Sequence, residues 1–420
     1  MDKMRIRGGR VLNGTVQASG AKNSALPILF SSLLSGEACH YRRVPNLQDI
    51  RTTLKLLEQL GVEVKDGLTE NRVTVQAQKL DTLEATYDLV RTMRASVVVL
   101  GPMLARFGRA KVSLPGGCAI GARPINFHLT GLERLGAEID LQAGYVVASA
   151  KRLIGNRVSF EFPSVGATEN ILMAATLAKG ESLLENCAQE PEIVDLACAL
   201  RAMGAEIEGE GTETIRVQGK DSLHGCDHEI MGDRIEAGTF LAAGLMTGGS
   251  VAVEGLHWKH LESVLVKFEE AGAKVNRGEN RIEVIAQGRP QAADLTTLPF
   301  PGFPTDMQAQ FMSLMTLADG ASMISETIFE NRFMHVPELV RMGADITIRG
   351  NTAVVKGVPR LIGAPVMATD LRASASLILC GLVAEGETTV SRIYHLDRGY
   401  ESMEKKLSQL GADIQRLKEE

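Results

Sequence analysis

The chain has 420 residues, of which 45% are hydrophobic and 23% charged, and its formal net charge is −6. This composition excludes a disordered, collagenous or coiled-coil chain, and the acidic balance argues against a general nucleic-acid binder. Aromatic residues make up only 4% while 42 residues are glycine, so we expect an aliphatic core and many tight turns. Length alone predicts about three domains.

The start of the chain carries no targeting pattern. Residues 1–5 are charged and lead into no long apolar run, so neither secretion nor membrane insertion is predicted. The six cysteines show no CxxC spacing, which predicts neither a structural zinc site nor a disulfide framework. We therefore expect a cytoplasmic protein.

The first predicted elements form a unit of two helices and three strands. Residues 24–34 are apolar on nearly all sides, which predicts a helix that is buried, and a strand follows it. Leucines at helical spacing over 54–60 predict a second helix, which Gly61 ends in a left-handed conformation. Alternating valines at 62–64 and 73–75 predict two further strands.

This unit recurs six times along the chain, at intervals of about 70 residues. Each copy has an apolar helix that ends at glycine before a strand, followed by a second helix that ends at glycine. Strands that cover buried helices are the expected arrangement, and a stacked solenoid is the rival one. The glycines that end the second helices are Gly61, Gly136, Gly204, Gly272, Gly343 and Gly411.

The predicted helices begin with charged residues of both signs. Acidic residues there are ordinary helix caps, but cations oppose the helix dipole and should cost stability. Their recurrence predicts sites where cations and backbone N–H groups bind phosphate or carboxylate, with structural ion pairing as the alternative. The cations in these loops are Lys22, Arg91, Arg94, Arg123, Arg234, Arg332, Arg372 and Arg398.

A glycine-rich segment over residues 114–124 stands apart from the repeats. Its three glycines predict a loop that can move, and no Gly-Lys-Ser/Thr follows them, so the segment is not a P-loop. Cys118 lies in it near Arg123, and a nearby cation lowers a thiol pKa and makes the thiol reactive. We therefore expect Cys118 to be functional.

The motifs together resemble those of a known family. The chain resembles the UDP-N-acetylglucosamine 1-carboxyvinyltransferases, enolpyruvyl transferases that catalyse the first committed step of peptidoglycan synthesis, over essentially its whole length. The matching motifs are SGAKNSALP (19–27), TMRASVVVLGP (92–102), SLPGGCAIGARP (113–124), SVGATENI (164–171), EPEIVD (190–195), DRIEAGTF (233–240), FPTDMQAQF (303–311), ENRFMHVPEL (330–339), TDLRASASL (369–377) and DRGYE (397–401).

The resemblance implies an α/β fold, the inside-out α/β barrel, with two domains that each hold three βαβαββ repeats around buried helices. One domain is expected over residues 22–230, and the other over 1–21 together with 231–420. The active site is expected in a cleft where helix N-termini converge. A monomer is the expected form, without nucleic-acid, metal or cofactor partners.

The implied reaction transfers the enolpyruvyl group of phosphoenolpyruvate to the 3-hydroxyl of UDP-N-acetylglucosamine, by addition and elimination, and releases phosphate. Cys118 is implied as the acid and Asp306 as the base, with Asp370 as a rival base. Lys22, Arg123 and Arg398 would bind the phosphate and carboxylate. The implied substrate-binding residues are Lys22, Asn23, Arg94, Arg123, Pro124, Ile125, Asn126, Phe127, His128, Ser164, Val165, Gly166, Glu190, Asp306, Ile328, Arg332, Asp370, Arg372 and Arg398.

Two positions depart from the pattern of some family members. Phe162 stands where some carry a lysine that contributes to diphosphate binding, and Asn126 stands where some carry an aspartate. Both changes bear on nucleotide affinity. Because the cysteine is present, we expect the subtype that fosfomycin inhibits. The charged stretch after Lys405 is expected to be a solvated helix end.

Overall fold

A computed structural model describes residues 2–90, 93–114 and 125–418. Cys118, Arg123 and Pro124, which the sequence singles out, lie outside the described residues, as does the side chain of Arg94. Over the described ranges, no helix is long and apolar enough to cross a membrane.

The described ranges hold helices and strands that are interspersed along the chain. The α-helices are α1 (Lys22–Ser31), α2 (Gln48–Gln59), α3 (Tyr87–Val90), α4 (Leu100–Phe107), α5 (Asn126–Arg134), α6 (Val165–Ala175), α7 (Pro191–Ala202), α8 (Arg234–Met246), α9 (Glu262–Glu270), α10 (Gln308–Met315), α11 (Val336–Arg341), α12 (Leu371–Val383) and α13 (Met403–Gln409). The strands are β1 (Lys3–Arg7), β2 (Asn13–Gln17), β3 (Ala38–Arg42), β4 (Glu63–Gly67), β5 (Arg72–Gln76), β6 (Glu84–Ala85), β7 (Arg109–Ser113), β8 (Glu138–Gln142), β9 (Tyr145–Ser149), β10 (Arg157–Ser159), β11 (Glu181–Glu185), β12 (Glu206–Glu208), β13 (Thr214–Gln218), β14 (Asp227–Glu229), β15 (Ser250–Glu254), β16 (Lys274–Arg277), β17 (Arg281–Ile285), β18 (Leu295–Thr296), β19 (Ala321–Ser325), β20 (Asp345–Arg349), β21 (Thr352–Lys356), β22 (Pro365–Met367), β23 (Glu387–Ser391) and β24 (Asp413–Leu417).

The strands form four-stranded sheets, each with one parallel pair and two antiparallel pairs. Their strand orders are β14-β3-β5-β4, β6-β7-β9-β8, β10-β11-β13-β12, β16-β17-β15-β2, β18-β19-β21-β20 and β22-β23-β1-β24. The third sheet shows the pairing: β10 runs parallel to β11, while β13 runs antiparallel to both β11 and β12. With helices α6 and α7 between its strands in the chain, this repeat reads βαβαββ.

The described residues divide into two compact units. We call residues 20–90, 93–114 and 125–231 the central unit, and residues 2–19 and 232–418 the terminal unit. Two edge strands each belong to the sheet of one unit while the next helix in the chain belongs to the other unit. Strand β2 precedes α1 of the central unit but pairs with β15 of the terminal unit, and β14 precedes α8 of the terminal unit but pairs with β3 of the central unit. The domain boundaries expected from the sequence, after residues 21 and 230, stay a prediction.

Each unit has its own apolar core, in which one helix of every repeat is enclosed. In the central unit α6 packs against α1 and α4, and in the terminal unit α8, α10 and α12 pack against one another. Every residue of α8 is buried, as expected for a helix without a polar face. Helices inside and sheets outside confirm the inside-out α/β arrangement and exclude the solenoid.

The helix-ending glycines are confirmed. Each has the positive φ that favours glycine over other residues, from 90° at Gly136 and Gly272 to 106° at Gly411. The first predicted helix, over 24–34, is α1 followed by a short 3-10 turn over Ser32–Leu34.

Two expectations differ from the structure in detail. The enclosed helix of the second repeat starts as a 3-10 segment, Arg94–Val99, before α4. Consecutive β-branched valines disfavour the α-helix there, and Pro102 lacks the N–H for its own hydrogen bond. The prediction of a solvated helix end after Lys405 was wrong over residues 413–417. These residues form β24, because Ile414 alternates with polar neighbours and pairs with Ile6 of β1.

Candidate functional site

In the central unit, Lys22 and Asn23 open the enclosed helix α1. The Nζ atom of Lys22 lies 2.7 Å from Oδ2 of Asp49, in the first turn of α2, and 9% of Lys22 and 3% of Asp49 are exposed. The helix has no acidic residue in its first turn and no side-chain cap. The Lys22 ammonium group thus lies at the N-terminus of a buried helix, where the helix dipole also attracts anions, and this placement suits a phosphate or carboxylate.

Asp195 on α7 fixes the segment that follows Lys22. One carboxylate oxygen, Oδ2, accepts hydrogen bonds from the Ser24 hydroxyl at 2.5 Å and the Met231 backbone N–H at 3.1 Å. The other, Oδ1, lies 2.9 Å from Nε2 of His228 on β14. These contacts tie the start of α1 to α7 and to β14, so Asp195 orients the backbone that carries Lys22 and Asn23.

A second group in the central unit joins the starts of α5 and α6. His128 in the first turn of α5 faces Gly166 in the first turn of α6, since a Cβ atom on Gly166 would lie 3.3 Å from Cε1 of His128. Asn170 holds the imidazole, with its Nδ2 atom 3.0 Å from Nδ1. Burial lowers the pKa of His128 to about 4, so the ring is neutral near pH 7. The Ser164 hydroxyl caps α6 by accepting a hydrogen bond from the Ala167 N–H at 3.4 Å.

Three glutamates come together near the start of α7. Glu190 is the residue before Pro191, and Glu192 and Glu169 are 2% and 6% exposed. Burial, followed by the charges of Glu192 and Glu190, holds the pKa of Glu169 well above its usual value. The raised pKa favours the protonated form of Glu169, in which the carboxyl group donates a hydrogen bond as well as accepting one.

In the terminal unit, Asp306 lies between two buried arginines. Its Oδ1 atom is 2.7 Å from Nη2 of Arg332, and its Oδ2 atom is 2.8 Å from Nη2 of Arg372. The two arginines are 4% and 3% exposed. Within the described part of the chain, Nε and Nη1 of Arg372 have no hydrogen-bond partner. Because a buried guanidinium needs acceptors for its donors, these two N–H groups suit an anionic ligand.

The surroundings of this group hold the arginines and Asp306 in place. Asp370 caps α12, and its Oδ1 atom accepts hydrogen bonds from the Arg372 and Ala373 N–H groups at 2.8 and 3.0 Å. Gln310 donates to the Asp306 carbonyl at 3.0 Å and to the Tyr400 hydroxyl at 3.1 Å. The cap role gives Asp370 a structural task, and Asp306 is the carboxylate that both arginines contact.

Glu326 links the Ile328 segment to the segment of Asp306. Its Oε1 atom accepts hydrogen bonds from the Ile328 N–H at 2.8 Å and the Thr297 hydroxyl at 2.9 Å. Its Oε2 atom accepts one from the Thr305 hydroxyl at 2.9 Å, directly before Asp306. Glu326 is only 3% exposed, so these bonds are shielded from water and restrict both segments.

The residues predicted from the sequence thus fall into one set per unit. The central unit holds the set of Lys22, Asn23, Ile125, Asn126, Phe127, His128, Ser164, Val165, Gly166 and Glu190, and the terminal unit holds Asp306, Ile328, Arg332, Asp370, Arg372 and Arg398. Arg398 ends the 3-10 segment Ile393–Arg398, and its charge helps to lower the pKa of the partly buried His395, after burial itself.

Sequence reasoning missed the partners that hold these residues. They are Asp49, Glu169, Asn170, Glu192, Asp195, Gln310 and Glu326. Five of them belong to the motifs SVGATENI, EPEIVD and FPTDMQAQF, so their place in those motifs was an available signal. Asp49 and Glu326 carry no such signal, because only the folded chain brings them to Lys22 and Ile328.

Comparisons with family models, solved structures and curated sequences all point to enolpyruvyl transferases. The family model described as "EPSP synthase (3-phosphoshikimate 1-carboxyvinyltransferase)" matches residues 6–407. The enolpyruvyl transferase NikO from Streptomyces tendae is 26% identical, with a TM-score of 0.89, over 100% of this chain and 99% of its own. EPSP synthase from Acinetobacter baumannii, at 17% identity and a TM-score of 0.76 over 100% of both chains, shares the fold.

Curated relatives are more similar in sequence. UDP-N-acetylglucosamine 1-carboxyvinyltransferase from Geobacter metallireducens is 59% identical over 419 residues, and that from Trichlorobacter lovleyi is 58% identical over 420 residues. Both alignments cover 100% of this chain and 100% of the relative. With its enclosed helices and its buried cations at helix starts, the chain belongs to the enolpyruvyl transferase family, among the UDP-N-acetylglucosamine 1-carboxyvinyltransferases.

Proposed function

We propose that this chain transfers the enolpyruvyl group of phosphoenolpyruvate to the 3-hydroxyl of UDP-N-acetylglucosamine and releases phosphate. The full-length likeness, at 59% identity, to an enzyme named for this reaction supports the proposal. The observation within the structure that favours it most is Arg372, a buried cation with two donor groups turned to no described acceptor. Both substrates carry anionic groups that such donors bind.

The proposed roles follow from the charges. Lys22, Arg123 and Arg398 bind the phosphate and carboxylate of phosphoenolpyruvate, with Arg332 and Arg372 nearby. Asp306 accepts the proton of the sugar 3-hydroxyl as that oxygen attacks, because it is the carboxylate that two buried arginines orient. Cys118 gives its proton to the methylene carbon in the addition step, which forms a tetrahedral ketal. In the elimination step the new methyl group loses a proton, the carbon–carbon double bond forms again, and phosphate leaves.

Most of the residues assigned to the nucleotide belong to the central unit. Asn23 contacts the sugar. The residues that contact the nucleotide and diphosphate are Arg94, the run from Arg123 to His128, Ser164 to Gly166 and Ile328, and Glu190 is a further substrate-binding residue. His128 is neutral, so it serves as a hydrogen-bonding group and not as a cation.

Further attributes extend this proposal. The product of this reaction is used in peptidoglycan synthesis, on which cell shape and cell division depend. The enzyme acts in the cytoplasm as a monomer. Its Cys118 thiol makes it a target of fosfomycin. Loss of activity with fosfomycin, together with a mass increase on the peptide that holds Cys118, is the expected result.

The test of this function is a phosphate-release assay with phosphoenolpyruvate and each of two acceptors. We expect release with UDP-N-acetylglucosamine and none with shikimate 3-phosphate. The second acceptor is included because the matching family model is described by the shikimate reaction. Release with shikimate 3-phosphate alone would replace the proposal with that reaction, and binding of the nucleotide sugar without release would indicate a non-catalytic relative.

The role of Cys118 is tested with a matched pair of variants. Cys118→Ala should lower the rate of phosphate release by about 100-fold or more, since it removes a general acid. Cys198→Ala removes an exposed cysteine of the central unit and should leave the rate unchanged. Full activity of Cys118→Ala would exclude the assigned role.

A further inference from the structure

Cys39 and Cys226 lie side by side in the sheet that contains β14 and β3. Cys39 is the second residue of β3, and Cys226 directly precedes β14. Asp227 is the register partner of His40 in this parallel pair, and the His40 N–H donates to the Cys226 carbonyl at 2.7 Å. Cys226 is therefore the neighbour of Cys39, and both side chains face the core, with 7% and 0% exposed.

This placement fits the geometry of a disulfide. Neighbouring strands lie about 4.8 Å apart, and the Cα atoms of bridged cysteines are about 4.4–6.8 Å apart. The two thiols also interact. The hydrogen bond from Cys226 is the largest cause that lowers the pKa of Cys39 to about 7, while the same interaction, with burial, raises the pKa of Cys226. The hydrogen bond from Cys226 therefore favours the thiolate of Cys39, the reactive form.

Cys226 is 7% exposed, and local opening of β14 would give small reagents access to the pair. Strand β14 has three residues and lies at the edge of its sheet, so it contributes few hydrogen bonds. Short edge strands open far more often than the whole protein unfolds. Cys187 and Cys380 make a contrast, since burial raises the pKa of each to about 12.

We propose that Cys39 and Cys226 are an oxidative modification site, a thiol pair that hydrogen peroxide converts to an intrachain disulfide. The Cys39 thiolate attacks one peroxide oxygen, the O–O bond breaks, and hydroxide leaves as Cys39 becomes a sulfenic acid. The Cys226 sulfur then attacks the Cys39 sulfur, and the sulfenic oxygen leaves as water with the Cys226 proton. The two sulfurs lose two electrons in total, and peroxide is reduced to two waters.

The test is peptide mapping of the full chain after exposure to hydrogen peroxide and alkylation of remaining thiols. Trypsin should release Cys39 in the peptide 23–42 and Cys226 in the peptide 221–234, each without another cysteine. We expect a linked pair of these peptides that has lost two hydrogens and that dithiothreitol separates. Cys187 and Cys380 should remain alkylatable after the same exposure.

A single variant separates the two steps. In Cys226→Ala the sulfenic acid of Cys39 has no partner, so dimedone should label the peptide 23–42, and it should not label this peptide in the unaltered chain. Circular dichroism and the melting temperature check that the variant is folded. Exposure that oxidises Cys198 while the peptides 23–42 and 221–234 stay unlinked in the unaltered chain would overturn the proposal.

Discussion

At the scale of single residues, the buried charges of the terminal unit decide what the unit can bind. Asp306 neutralises part of the charge of Arg332 and Arg372, yet two donor groups of Arg372 stay without a described acceptor. Leaving a buried donor unsatisfied costs about 1–3 kcal/mol. The arrangement therefore lowers the stability of the unliganded chain, and an anionic ligand that accepts these hydrogen bonds binds more tightly.

Arg372→Lys tests whether these donor groups of Arg372 contribute to ligand affinity. Lysine keeps the positive charge but lacks the Nε and Nη1 donors of the planar guanidinium. We expect KM for phosphoenolpyruvate to rise by about tenfold or more, because hydrogen bonds to a charged ligand contribute about 1.5–3 kcal/mol each. Steady-state kinetics measures the change. Arg360→Lys, on an exposed arginine paired with Glu385, is the control and should leave KM unchanged.

Acid stability depends on buried histidines. Burial, which outweighs the opposing charge of Asp370, lowers the pKa of His335 from 6.5 to about 4. Between these pH values the unfolded chain binds a proton that the folded chain does not. The stability that neutral His335 contributes is therefore complete above pH 6.5 and is lost as the pH falls toward 4.

His335→Leu should accordingly lose less stability on acidification, by up to about 3 kcal/mol. Denaturant unfolding at neutral pH and at acidic pH measures the difference, and His40→Leu, at an exposed position, is the control. Equal acid-induced losses in His335→Leu and the unaltered chain would contradict this explanation.

At the scale of elements, glycines let the backbone just after a strand approach the backbone just beyond an enclosed helix. Gly357 directly follows β21, and a Cβ atom on it would lie 1.8 Å from the carbonyl oxygen of Ala318, beyond the end of α10. Gly219 after β13 makes the same approach to the Ala178 carbonyl, also at 1.8 Å. Glycine is needed at both positions for space.

Gly357→Ala should therefore lower the free energy of unfolding by about 3 kcal/mol, since backbone must move to relieve the overlap. Gly343→Ala is the matched control. Gly343 has φ of +95° but open space around its Cβ position, so only conformational strain of about 1 kcal/mol is expected. Chemical denaturation of both variants compares the two costs, and equal losses would argue against the steric explanation.

The elements and the repeat could be predicted from sequence because apolar periodicity and helix-ending glycines are local signals. The sheets to which β2 and β14 belong could not, since pairing with β15 and β3 depends on residues more than a hundred positions away. For the same reason the sequence favoured cations such as Lys22 and Arg372 as site residues but did not identify Asp49 or Glu326, which hold the site together. The absence of a CxxC pattern likewise concealed the neighbouring Cys39 and Cys226.

At the scale of the whole molecule, the chain enters the terminal unit, passes through the central unit and returns. Ile6 on β1 is fully buried, and β1 lies between β23 and β24. The integrity of the terminal unit therefore depends on the first few described residues.

Ile6→Ala should destabilise the terminal unit by about 2–5 kcal/mol through the cavity it leaves. Amide hydrogen exchange should show faster exchange in β23 and β24, while amides of the central unit keep their protection. Val11→Ala, at a 54% exposed position, is the control and should change neither. Faster exchange throughout both units in Ile6→Ala would show that they unfold together.

The position of β1 also has a consequence for synthesis on the ribosome. Its partners begin at Glu387 and Asp413, so at about 5–20 residues per second β1 emerges tens of seconds before either partner exists. During that interval the nascent chain exposes a strand with two unpaired edges, which other chains could extend. Lys3, Arg5 and Arg7 alternate with the two apolar residues of this strand. Their mutual repulsion keeps one nascent β1 from pairing with another until the rest of its own sheet has been made.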